Sequence, residues 1–220
     1  MTRAAVAALA GLLALTACGG DDDDAAPPES SAAAPASVAD GRCLVRLHGK
    51  GGGGAATVTE GDVTVVSPTG NADGWGGRQW LYFPDDEYDA ARGIVADAVA
   101  GCDEIIVNGF SNGGAFAAKL YCRGESFDGR LVRVVVDDPV VDSGVESCAP
   151  DPAVAVTLYW TGALDATAQP GWECAEADWT CEGGTTIGID AYASALATDV
   201  LDSPHDDHQW YLDAPELSQW

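Results

Sequence analysis

The run Ile105-Ile106-Val107-Asn108-Gly109-Phe110-Ser111-Asn112-Gly113-Gly114, continued by Ala115-Phe116-Ala117-Ala118-Lys119-Leu120, constrains the fold more than any other stretch. Its three branched apolar residues predict a short buried strand, and the alanine-rich run after the glycines predicts a helix. Between them lies Gly109-Phe110-Ser111-Asn112-Gly113, a G-x-S-x-G sequence at a strand-to-helix turn. A serine on so sharp a turn sits in strained backbone, and glycines two residues to either side let strand and helix approach closely. The turn lifts the hydroxyl clear of the sheet and aims the next amide, that of Asn112, at the same point. An ordinary glycine-rich turn is the plainer reading of such a pentapeptide. The flanking strand and helix favour a nucleophilic Ser111.

Four further apolar runs read as strands: Leu44–Leu47, Val63–Val66, Leu131–Val136 and Val154–Trp160. A short strand is expected near Asp199–Ser203. Asp86–Ala100 reads as a helix, with Tyr88, Ala91, Val95 and Val99 at helical spacing, and Asp190–Ala197 as another. The stretch carrying Trp75 and Trp80 reads as a long loop. Uniformly apolar strands alternating with helices predict a parallel α/β sheet covered by helices on both faces. Ligands bind such sheets at the carboxyl ends of the strands. His48, Ser111, Asp137, Asp165 and the pair His205 and His208 all fall at those ends, so residues far apart in the chain are expected to meet.

The formal charge of the 220 residues is −25, and six of the acids and one of the bases lie in residues 1–40, which leaves −20 on residues 41–220. A field of that sign repels phosphate backbones and argues against a nucleic-acid partner. Residues 1–18 read as a targeting segment: Arg3, an apolar run from Ala4 to Leu15, then Leu15-Thr16-Ala17-Cys18, which resembles the lipobox of bacterial lipoproteins. That resemblance implies an acylated Cys18, export, and attachment to the membrane through an N-terminal lipid. Residues 19–41, with Asp21–Asp24, Pro27-Pro28 and an Ala/Ser/Pro run, read as a structureless tether. One domain over residues 42–220 remains. Its six cysteines, Cys43, Cys102, Cys122, Cys148, Cys174 and Cys181, argue for disulfides in an exported chain, and without a C-x-x-C pair no metal site is expected.

Taken together, His48-Gly49-Lys50-Gly51 after one strand, Gly109-Phe110-Ser111-Asn112-Gly113-Gly114 after another, and an acid and a histidine following in that order resemble the α/β-hydrolase superfamily. The similarity is to its serine esterases of the carboxylesterase, dienelactone hydrolase and polyhydroxybutyrate depolymerase kind, over about residues 43–212. The chain departs from that family in lacking its first two strands and any cap insertion, which leaves a minimal sheet of about six mostly parallel strands; no cofactor and a monomer are expected. The resemblance also implies a catalytic triad. Ser111 is the expected nucleophile. The expected base is His208, because His208-Gln209-Trp210 is similar to the family's histidine-x-tryptophan ending, with His205 as the alternative; His48 is expected to be structural. Asp165, closing Gly162-Ala163-Leu164-Asp165, is the expected acid, with Asp137 as the alternative. Asp138, before Pro139, is read as a turn cap.

Oxyanion donors are expected from the Asn112 amide and from that of Lys50 or Gly51. A phosphate cradle is excluded because Lys50 precedes its glycines and no Ser or Thr follows it. Trp75, Trp80 and Trp172 are expected to wall the substrate site. In the topology that the resemblance implies, Cys43 pairs with Cys102, Cys122 with Cys148, and Cys174 with Cys181. The expected activity is cleavage of a small-molecule or polymeric carboxylic ester at the cell surface. A surface-binding lipoprotein with the same fold and no turnover is the alternative.

Overall fold

The computed structural model describes residues 41–163 and 187–220. Its centre is a seven-stranded sheet of β1 (Arg42–Leu47), β2 (Ala55–Glu60), β3 (Val63–Ser67), β6 (Glu104–Phe110), β7 (Leu131–Asp137), β8 (Ala155–Trp160) and β9 (Val200–Asp202). They lie in the order β2-β3-β1-β6-β7-β8-β9. All pairings are parallel except that of β2 with β3. β4 (Ala72–Gly74) and β5 (Gly77–Gln79) form a separate hairpin inside the stretch expected to be a loop. The helices are α1 (Asp85–Ala98), α2 (Asn112–Cys122) and α3 (Ile189–Leu196).

The inner strands β1, β6, β7 and β8 are largely apolar because both faces of the sheet are covered there. Alternate residues go to opposite sides. Cys43, Val45, Leu47, Ile105, Val107, Val134, Val136 and Leu158 share one core with Tyr88, Ala91 and Val95 of α1, Phe116 and Leu120 of α2, and Tyr192 and Leu196 of α3. Leu44, Ile106, Val135 and Tyr159 share the other with Ala214 and Leu217. Helices were expected on both faces. Among the described residues all three pack on one, and the C-terminal segment closes the other. The four apolar positions expected on the first helix, Tyr88, Ala91, Val95 and Val99, are all buried.

Cys43 is bonded to Cys102 and Cys122 to Cys148, with Cα atoms 5.8 and 4.1 Å apart. The first bridge joins the amino-terminal ends of two neighbouring parallel strands, since Arg42 of β1 is in register with Glu104 of β6. Cys174 and Cys181 lie outside the described residues. So do residues 1–40, and with them Cys18 and the tether.

Candidate active site

The turn after β6 has the geometry that its sequence predicts. Ser111 sits at φ 55°, ψ −121°, at the head of α2. That is a region non-glycine residues rarely enter, and such strain persists where the surroundings enforce it. The two glycines are what make the turn possible. A side chain on Gly109 would begin 2.2 Å from the Gly113 carbonyl oxygen, and one on Gly113 would begin 2.2 Å from that of Leu47. Backbone therefore lies against backbone where β1, β6 and α2 converge. The Ser111 N–H donates to the Asp137 carbonyl at 3.1 Å, which ties the turn to the end of β7.

β7 ends in two buried aspartates with different partners. Asp138, at φ 41°, turns its carboxylate to His208 and Thr161. Its Oδ2 accepts from His208 Nδ1 at 2.5 Å and from the Thr161 hydroxyl at 2.8 Å, while Oδ1 accepts the Thr161 N–H at 3.0 Å. Three donors on one carboxylate fix the imidazole with its proton on Nδ1, which leaves Nε2 as an acceptor. The His208 ring stacks on Phe110, with centroids 4.5 Å apart. The base candidate thus lies beside the residue that precedes Ser111.

Asp137 holds the chain after His208. Its Oδ2 accepts the Tyr211 N–H at 2.5 Å and its Oδ1 has no partner among the described residues, so it orients none of the described histidines. Burial, with the Asp138 charge adding to it, pushes its carboxyl up to about 7. Asn108 Oδ1 accepts from Trp210 Nε1 at 2.7 Å, and Trp210 also stacks on Phe110. The histidine-bearing segment is therefore fastened to the ends of β6 and β7 at several points.

His205 lies edge-on to Tyr211, with ring centroids 5.9 Å apart, and among the described residues it is His208 that meets Asp138. His48 is structural, as expected. Its Nε2 accepts the Gly70 N–H at 3.1 Å, so Nδ1 carries the proton and donates to the Gly49 carbonyl at 2.8 Å. Burial lowers its pKa.

Three expectations need correction. Gly51 is not an oxyanion donor, because its N–H is engaged by the Arg78 carbonyl at 2.9 Å. Trp80 is not a substrate wall. It is fully buried, stacked on Phe116, and its backbone N–H and C=O are both clasped by the Asn112 side chain at 2.7 and 3.0 Å. Asp137 is not the orienting acid, because its carboxylate is turned to Tyr211. Asp138, expected only to cap a turn, is the carboxylate that meets His208. Thr161, directly after β8, is a further site residue that the sequence reading missed. Asp165 and Trp172 lie outside the described residues.

The Asn112 amide opens α2 immediately after Ser111, at the positive end of the helix. Gly49 packs so closely that a side chain there would begin 3.1 Å from Ser111 Cβ, which brings the Gly49 backbone against the Ser111 turn.

No family model matches the sequence, and no curated protein matches it. Solved structures do. The Bacillus cereus carboxylesterase aligns over 81% of this chain and 85% of its own, with a TM-score of 0.52 and 17% identity. Esterase PE8 aligns over 83% of this chain and 91% of its own, with a TM-score of 0.47 and 16% identity. The mostly parallel sheet, the strained serine turn after its central strand and the likeness to the carboxylesterase together identify the architecture as the α/β-hydrolase fold.

Proposed function

We propose that the protein is a serine hydrolase that cleaves carboxylic esters, with Ser111 as nucleophile, His208 as base and Asp138 as orienting acid. The observation that carries this reading is the 2.5 Å contact between Asp138 and His208 Nδ1, on a ring stacked against the neighbour of a serine in strained backbone. In the reaction, Ser111 Oγ attacks the ester carbonyl carbon while its proton passes to His208 Nε2. Negative charge develops on the former carbonyl oxygen, where the amides of Asn112 and Lys50 would receive it at no cost in reorganisation. Collapse expels the alcohol with the proton from His208 and leaves an acyl-serine. Water, deprotonated by the same imidazole, then releases the acid. Asp138 holds the ring in the tautomer that this cycle needs and stabilises the imidazolium that forms.

The test is turnover of simple esters by the full-length protein and by Ser111→Ala and His208→Ala. Both variants should lose ~10⁴-fold or more in kcat, and His205→Ala should keep its rate. Hydrolysis undiminished in Ser111→Ala would remove the proposal. The lipobox-like Leu15-Thr16-Ala17-Cys18 supports action at the cell surface through an acylated Cys18. Release of Cys18→Ala into the medium, with wild type in the membrane fraction, is the matching test of location.

A further inference from the structure

Ser111 stands at the head of α2, and Asp138 directly follows β7. His208 has no such support, because the chain between Asp202 and Pro215 forms neither helix nor strand. Catalytic groups tolerate little play: a displacement of about 1 Å can cost ~100-fold in rate. Asp138 grips the imidazole at Nδ1, which leaves the tilt of the ring about that contact to be set by its other neighbours.

Asn108 is the residue whose presence this need explains. It lies fully buried in β6, directly after Ile105-Ile106-Val107. Asparagine is depleted in strands, and a buried amide costs free energy unless it is hydrogen-bonded. Alternation puts it on the same face as Ile106, the one closed by the C-terminal segment. There its Oδ1 accepts the Trp210 indole N–H at 2.7 Å, across 102 positions of the chain. Its Nδ2 reaches the Val135 carbonyl at a long 3.4 Å. The short bond, and so the stronger, is the one to the indole.

Trp210 is two residues beyond His208, and both rings stack on Phe110. Their centroids are 5.7 and 4.5 Å from that of Phe110, and their planes within 14° and 28° of its own. Phe110 in turn rests on Gly49, where an added side chain would begin 3.3 Å from Phe110 Cδ1. The hydrogen bond from Asn108 therefore sets the plane of the indole, Phe110 lies nearly parallel to it, and the imidazole lies on Phe110. We propose that Asn108 is a positioning residue, which through Trp210 and Phe110 fixes the tilt of the His208 ring. This rests on the serine-hydrolase reading above.

The experiment is a double-mutant cycle on turnover of p-nitrophenyl acetate by the full-length protein, with Asn108→Val, Trp210→Phe and the pair. Valine suits a buried strand, and phenylalanine keeps a ring against Phe110 at a partly exposed position. Each single variant should lower kcat ~10–100-fold with KM within ~3-fold of wild type. The pair should lose no more than the worse single variant, because the same hydrogen bond is absent from all three. Melting temperatures should stay within ~4 °C of wild type. Asn108→Asp keeps the acceptor but buries a carboxylate, so it should melt lower than Asn108→Val and yet turn over faster. Unchanged kcat, losses that multiply in the pair, or rates that follow melting temperature across the variants would overturn the proposal and make Asn108 a packing residue. Wild-type protein that neither hydrolyses the ester nor takes a fluorophosphonate label on Ser111 would instead sink the hydrolase reading itself.

Discussion

Asp138 and His208 meet at 2.5 Å although 70 positions separate them in the chain. Nothing local brings them together. Asp138 stands at the end of β7, and the segment carrying His208 is tied down by Asn108, Phe110 and Asp137 from the ends of β6 and β7. The pairing is thus a product of strand order.

This contact gives the first prediction. Asp138→Asn keeps the size of the side chain but presents an amide that can stabilise the wrong tautomer. Loss of ~10⁴-fold in kcat is the expected outcome, the magnitude typical of that exchange in a serine triad. Asp165→Asn should fall by less than tenfold. If the losses are reversed in steady-state assays of the two variants, the orienting acid is Asp165.

The second concerns the serine turn. A methyl group on Gly113 would meet the backbone oxygen of Leu47 at 2.2 Å, and backbone cannot swing aside as a side chain can. Gly113→Ala should therefore destabilise by ~3 kcal/mol or more. Gly53→Ala, where nothing lies within 4 Å, should change stability by less than ~0.5 kcal/mol. Urea denaturation of the two variants checks the contrast.

Much of this architecture was legible because buried parallel strands leave a strong mark. The runs around Val45, Ile106, Val135 and Leu158 are apolar on both faces, and the glycine spacing about Ser111 reports a steric need. What escaped was whatever the apolar pattern does not encode. β2 is exposed at all six residues, so it carries no hydrophobic signature. The β4–β5 hairpin is only three residues a side and turns on Trp75-Gly76 rather than a familiar turn pair. Trp80 looked available as a loop aromatic, yet the Asn112 clasp draws its backbone into the core. Choosing between Asp137 and Asp138 requires knowing how the chain turns after β7. The φ of 41° at Asp138 decides it, and an aspartate before a proline does not announce that angle.

The third prediction is a pH dependence of stability. Asp142 is completely buried, accepts from the Tyr82 hydroxyl at 2.6 Å and from the Gly144 N–H at 2.7 Å, and is pushed up by burial to about 7. Its folded pKa lies above the unfolded value, so between about 4 and 7 the folded state holds more protons than the unfolded state. This contribution is therefore fully present below about pH 4 and is lost as pH rises to about 7. Asp142→Asn does not titrate. Its stability relative to wild type should improve across that window, by at most ~4 kcal/mol. Denaturation midpoints at pH 4.5 and 7.5 test this, and a constant difference would contradict it.

The fourth concerns the bridge between the first and central strands. Cys43 and Cys102 are 59 residues apart, so their bond removes a large loop's freedom from the unfolded chain. The double variant Cys43→Ala/Cys102→Ala should lose ~2–4 kcal/mol. The Cys122–Cys148 bridge spans 26 residues, and its loss should cost somewhat less. Thermal unfolding of the two double variants ranks them.

The most direct test of the central claim is covalent capture of the nucleophile. Wild-type protein treated with a fluorophosphonate should take up one label per chain, and peptide mass mapping should find it on Ser111. The labelling rate should fall by orders of magnitude in His208→Ala, because the hydroxyl then lacks its base. An unlabelled wild-type protein, or a label on any other residue, would contradict the account.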